Sequence, residues 1–304
     1  MEELVQQLVN GVTLGSIYAL IALGYTMVYG IIQLINFAHG EVFMIGGFAG
    51  LATWTWALRP LGLGEPLWIA LPLVLIGSMS ITGLLGVALE RVAYRPLRFA
   101  PRLAPLITAL GASIFLQYTI FLWFPGGRSV VPYPRLFPEG SFTLAGAEVL
   151  YLWVLMLGVS IALMVVLDRF IRKTRLGRAM RATSEDKDAA ALMGIDINRT
   201  IAMTFLIGSL LAAAGGVLNG MYTGRVWFFD GFKAGLKAFT AAVLGGIGNI
   251  PGAMLGGFFI GLVEALTSGF LPRGGAWRDV VVFLILVLIL IFRPTGLLGD
   301  RSRG

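Results

Sequence analysis

Seven stretches of this chain contain no Asp, Glu, Lys or Arg: residues 4–40, 42–58, 66–89, 103–127, 149–167, 200–224 and 238–263. Each approaches or exceeds the roughly 20 residues that cross a bilayer as an α-helix. A soluble domain cannot absorb so many uncharged runs. With 57% hydrophobic and 13% charged residues and a mean hydropathy of +0.85, too little polar side chain exists to cover one. A β-barrel would alternate in polarity over segments of about ten residues, whereas these runs are apolar on all sides and rich in glycine. The expected fold class is all-α: a polytopic integral membrane protein with about eight transmembrane helices, built as a single domain over residues 1–304.

Glu2 and Glu3 stand where a secretory leader would carry basic residues, and no small-residue cleavage site closes a short apolar stretch, so the first helix is expected to stay. The absence of cysteine excludes disulfides and thiolate metal sites, and a single histidine, His39, excludes a multi-histidine centre. The formal charge of +7 sits in short connections between apolar runs, where it sets orientation in the membrane. It gives no reason to expect a nucleic-acid partner.

Two connections hold 12 of the 23 basic residues: Arg91, Arg95, Arg98 and Arg102 in the first, and Arg169, Arg172, Lys173, Arg175, Arg178, Arg181, Lys187 and Arg199 in the second. The positive-inside rule makes both cytoplasmic and puts segment 128–148 outside. Residues 1–58 contain no Lys or Arg, so charge leaves the side of the N-terminus open, and 37 uncharged residues at 4–40 exceed one simple span. In the segment 244–257, LGGIGNIPGAMLGG, Gly248, Asn249 and Pro251 with their neighbouring glycines are expected to break a helix inside the bilayer. Freed backbone is tolerated there only against protein or a wet cavity, so Gly248, Asn249 and Pro251 are candidates for the pathway or its gate, a kink needed only for packing being the alternative. If the chain turns back at this point, the last apolar stretch (280–292) exits inward and Arg293, Arg301 and Arg303 become cytoplasmic.

The second basic connection, 169–199, is expected to hold a short helix outside the membrane. Thr183 is read as its N-cap, with Asp186 completing a capping-box-like exchange; Glu185 and Asp186 suit the positive end of its dipole, and Gly194 suits a left-handed stop. A helix of about ten residues needs a docking surface, and Ala189, Leu192 and Met193 would form its apolar face.

Asp188, Ala189, Ala190 and then Gly194 match the spacing of the EAA motif, by which permeases of bacterial ABC importers engage their ATPases; Asp replaces the usual Glu. The resemblance widens over NGVTLGSIYALIALGYTMVYGIIQLINFAHGEVFMIGG (10–47), ERVAYRPLR (90–98), SEDKDAAALMGI (184–195), KAFTAAVLGGIGNIPGAMLGG (237–257) and RPTGLLG (293–299). In this order these stretches resemble the H-type permease subunit of high-affinity branched-chain amino acid ABC importers. The resemblance implies a bacterial inner-membrane subunit for leucine, isoleucine and valine. It also implies a second homologous permease, two ABC ATPase subunits and an extracytoplasmic substrate-binding protein as partners, with membrane lipid around them. Coupling would run through Thr183, Glu185, Asp186, Asp188, Ala189, Ala190, Leu192, Met193 and Gly194. ATP and Mg would sit on the partner chains, since this one has no Gly-x-x-x-x-Gly-Lys-Ser/Thr loop to cradle a nucleotide; the chain is read as a transport subunit without cofactor or catalytic residues of its own.

Spans with few charges and many small residues suit a small neutral or zwitterionic solute, and by themselves do not separate leucine from urea or a short amide. A self-sufficient secondary transporter would also show broken helices and a buried acid. Asn36, His39 and Glu41 lie between two apolar runs. A polar turn capping the second helix and a part in the pathway or its gate both fit them. Glu264 is the acid nearest membrane depth, either functional there or paired with Arg273 or Arg278 at an interface; Lys233 and Lys237 are expected to anchor their segment at the outer interface.

Overall fold

The computed structural model describes residues 2–33, 36–64, 67–98, 100–101, 103–293 and 295–299. Arg102, Arg301 and Arg303 lie outside the described residues. Among those described, seven helices are long and apolar enough to cross a membrane. They are α1 (Glu2–Ile32), α3 (Leu67–Leu89, continued as π and 3-10 turns to Leu97), α4 (Leu103–Trp123), α5 (Tyr151–Lys173), α8 (Ile197–Thr223), α10 (Ile250–Phe270) and α11 (Gly274–Phe292). Two shorter apolar helices complete the membrane part: α2 (His39–Ala52), which runs on through a π-helical stretch at Thr53–Leu58, and α9 (Asp230–Gly245). The helices α6 (Arg175–Glu185) and α7 (Lys187–Leu192) occupy the basic connection between α5 and α8.

The side of α1 that charge left open follows from its contacts. Strands β2 (Ser141–Leu144) and β3 (Ala147–Leu150) form an antiparallel hairpin at the end of the outer segment. The Glu148 N–H donates to Gln6 Oε1 at 2.7 Å, and Gln6 Nε2 donates back to the Glu148 carbonyl at 3.1 Å. The first turns of α1 therefore meet the outer loop. Its last residue, Ile32, lies at the opposite face, beside the basic connection. The 37-residue run thus resolves into one long helix, a turn, and the start of α2.

Both short helices begin at depth. His39, the first residue of α2, packs on Gly24 of α1, eight residues and about 12 Å before the inner end of α1. After α8, strand β4 (Arg225–Val226) pairs with β1 (Val131–Pro132) of the outer segment, and the chain then dips back until Gly231, at the start of α9, meets Gly40. From this crossing α2 runs outward and α9 inward. Their N-termini meet in the interior, where only glycine lets the two backbones approach so closely.

The long helices α1 and α10 pack through facing glycines four residues apart, Gly11 and Gly15 against Gly257 and Gly261. A Cβ on Gly15 would come within 2.7 Å of the Phe258 Cα, so the contact depends on bare backbone. On the other side of the core α8 packs on α3 differently: the side chains of Leu206 and Leu210 sit over Gly83, and that of Ser209 over Gly86. α1 and α8 are the most enclosed of the seven spans, and α11 is the most exposed.

Candidate functional site

The cytoplasmic connection departs from the expected single helix. Thr174 caps α6, its hydroxyl oxygen accepting from the Gly177 N–H at 3.0 Å. α6 then runs to Glu185, so Thr183 is interior to it and donates its hydroxyl to the Ala179 carbonyl at 2.8 Å. It caps nothing. The cap of α7 is Asp186 itself: at φ −151° its Oδ1 accepts from the N–H groups of Asp188 and Ala189 at 2.8 and 2.9 Å. At the other end Gly194 has φ +82°, with Gly194 N–H bonded to Ala191 O and Ile195 N–H to Ala190 O. This pair of bonds is a Schellman stop, which needs the left-handed residue that glycine supplies.

The six-residue α7 thus has both ends fixed by its own sequence. Ala190 is its buried side chain. Leu192 and Met193 are 89% and 84% exposed, two large apolar side chains held in water at the tip of a defined turn. Asp188 and Ala189 are exposed beside them.

In the membrane interior Asn36, His39 and Glu41 are all buried, and none of them caps α2, whose N-cap Ala38 has no side-chain bond. They reach other helices instead. Asn36 Oδ1 accepts from the Tyr94 hydroxyl at 2.6 Å, tying the start of α2 to the inner end of α3. The His39 ring lies edge-on to Tyr25 of α1 at 4.7 Å, with Nε2 unpartnered. Glu41 Oε1 accepts from Ser113 of α4 at 3.3 Å. Its other oxygen is unpartnered and lies against Gly231, at the positive end of α9. The capping expectation fails because the chain climbs back into the protein before α2 starts, so its polar residues meet neighbouring helices before they meet their own first turn.

The Gly/Pro break at 244–257 is the turn from α9 to α10, and it lies at the inner face. Gly248 touches Gly30, two residues from the end of α1. Gly246 and Gly248 have φ +98° and +92°, Asn249 caps α10 by accepting from the Gly252 N–H at 2.9 Å, and Pro251 occupies its first turn, where a missing N–H costs nothing. The chain after α11 straps this turn. Leu297 N–H donates to Leu244 O at 2.8 Å, and Asn249 Nδ2 to Leu298 O at 2.7 Å.

Glu264 is buried and lies in an ion cluster. Lys237 Nζ is 2.8 Å from Glu264 Oε1 and 2.7 Å from Asp279 Oδ1, the Tyr18 hydroxyl donates to Glu264 Oε2 at 2.7 Å, and Arg278 Nε approaches Glu264 to 3.6 Å. Two cations and two carboxylates join α1, α9, α10 and α11. Lys237 is therefore a buried partner and not an outer anchor, and Arg278, not Arg273, accompanies Glu264. Lys233 does lie over aromatic faces, those of Trp227 and Phe229. The available signal was four charged residues, 237, 264, 278 and 279, inside or beside apolar helices.

At the inner face Glu90 is fully buried against Arg95, 2.9 Å away, and Arg98, which also donates to Asn198 at 2.6 Å. Both basic connections thus meet on one side, as their charge requires. Burial lowers Arg98 from the usual arginine range, an effect the Glu90 charge opposes. On the outer face a cleft of about 680 Å³ opens between the 132–140 loop and the outer ends of α5 and α8, lined by Tyr133, Phe137, Trp153 and Tyr222 among others.

The family model described as the permease component of a branched-chain amino acid transport system matches residues 7–290. The chain is 49% identical over 300 residues to the high-affinity branched-chain amino acid transport system permease protein BraD of Pseudomonas aeruginosa, covering 97% of this chain and 95% of the relative. It is 47% identical over 303 residues to the corresponding protein LivH of Escherichia coli strain K12, with the same coverage. A more distant relative is the autoinducer 2 import permease LsrC of Enterobacter sp., 29% identical over 62% of this chain and 55% of its own. With a match from the first turns of α1 nearly to the end of α11, this chain belongs to the branched-chain amino acid transport system permease family.

Proposed function

We propose that the chain is the membrane-spanning permease subunit through which leucine, isoleucine and valine enter the cell, powered by two separate ATPase subunits. It pairs with a second homologous permease and receives its solute from a substrate-binding protein at the outer face. The observation that carries this reading is the identity of nearly half over 97% of the chain with permeases of that named transport system. The contact with the ATPase is α7: Asp186 and Gly194 fix its ends, Asp188 and Ala189 lie on its exposed side, Ala190 seats it, and Leu192 and Met193 enter an apolar recess of the partner. Thr183 and Glu185 belong to the preceding helix that carries it.

In this reading the crossing of α2 and α9, with Asn36, His39 and Glu41, is the part of the core that shifts during transport. The strapped turn at Gly248, Asn249 and Pro251 is its inner stop, and the Glu264 cluster holds α11 during the shift. The test is labelled leucine uptake by cells lacking the gene, with and without its re-expression. The expected result is loss of uptake, restored by re-expression and competed by isoleucine and valine but not by urea or acetamide. Uptake indifferent to the chain, or competed by the amides, contradicts the solute assignment.

A further inference from the structure

The last turn of α1 carries no basic residue of its own, so its closing carbonyls and the negative end of its dipole lack a partner within the helix. One arrives from elsewhere. Lys187, the first residue of α7, donates from Nζ to the Ile32 carbonyl at 3.2 Å, across 155 positions of sequence. Partial desolvation where its side chain reaches Ile32 lowers Lys187 from the ordinary lysine range, the Arg98 charge adding to the effect and Asp188 opposing it. Directly after Ile32, Gln33 takes φ +61°, a conformation a non-glycine residue holds only when its surroundings fix it. The described chain resumes at Asn36, bonded to Tyr94, and α2 follows.

We infer that Lys187 is the positioning residue that transmits displacement of α7 to the inner end of α1, at Ile32 and Gln33. The inference rests on the proposed ATPase contact of α7 and adds the route inward from it. α7 is a single turn and a half, fixed at one end by Asp186 and at the other by Gly194, so it moves as a unit. Leu192 and Met193 point away from the protein at one end, and Lys187 grips α1 at the other. α1 is enclosed on nearly all sides, so motion delivered to its end is passed to the helices packed on it.

The experiment compares Lys187→Met, Lys187→Arg and, as a control that removes an exposed charge from the same face, Lys173→Met. Two quantities are read: amide hydrogen exchange of segment 29–38 in the assembled complex, and leucine moved per ATP hydrolysed in proteoliposomes holding the complete importer. Lys187→Met is expected to speed exchange in that segment about tenfold without changing α8, as loss of a charge-assisted bond would. It is also expected to lower leucine moved per ATP about tenfold, while Lys187→Arg restores both and Lys173→Met changes neither. Wild-type exchange at 29–38 in Lys187→Met overturns the link, and faster exchange with unchanged leucine per ATP overturns its part in transmission. A wild-type complex that moves no leucine while the exchange response persists removes the solute assignment and leaves the link standing.

Discussion

Buried charge carries the clearest residue-scale consequence. Lys237 faces the buried Glu264 and the half-exposed Asp279, so removing it leaves Glu264 with the Tyr18 hydroxyl and the more distant charge of Arg278. Stranding a buried charge costs about 3–5 kcal/mol, whereas removing both members of a pair costs far less. Lys237→Met is expected to lower the Tm of the protein in detergent markedly, and Lys237→Met with Glu264→Gln to recover most of the loss; a single variant as stable as wild type would show that the cluster does not hold α11. Glu264 was legible as an intramembrane acid because it interrupts an apolar run. Arg278 was legible as a partner, but the nearer one, Lys237, was not, since a lysine separated by 27 positions becomes a neighbour only once α9 and α10 lie antiparallel. The same limit applies to Lys187 and Ile32, and to Tyr94 and Asn36.

At the scale of elements, the glycines separate into two kinds that composition alone cannot distinguish. A Cβ on Gly15 or Gly261 would run into the facing backbone of α10 or α1, whereas one on Gly158 of α5 would meet open space. Gly261→Leu is expected to cost about 3 kcal/mol or more through separation of α1 from α10, and Gly158→Ala to be neutral or to stabilise by up to about 1 kcal/mol. Thermal unfolding of the two purified variants checks the pair, and a Gly261→Leu protein that melts with wild type would contradict the packing. The long spans were readable from charge-free length. The start of the short cytoplasmic helix lies one turn later than the sequence suggests: Thr183 and Asp186 both suit an N-cap, and which of them caps depends on whether α6 continues, a matter settled by packing of Met180 and Thr183 against the core. Gly194 was legible because a left-handed stop restricts residue type sharply.

For the whole molecule, the orientation of the basic connections was legible in the arginines, and the family in the order of motifs along the chain. The side of the N-terminus was not, because residues 1–58 carry no Lys or Arg; it follows from the contacts of Gln6 with the outer hairpin and of Ile32 with Lys187. The crossing of two half-length helices in the interior was also hidden, since α2 and α9 each merge in sequence with longer apolar runs. The resulting body presents a capped, exposed helix, α7, on its inner side and has a deeply enclosed core, and in the proposed reading α7 is the point at which another protein moves it. The central claim is therefore dependence on ATPase subunits, and it is tested most directly by leucine flux into proteoliposomes. Permeases reconstituted with the ATPase pair, liganded binding protein and ATP are predicted to accumulate leucine, and the same vesicles without the ATPases to accumulate none. Flux through this chain alone, driven downhill or by an ion gradient, would contradict the account.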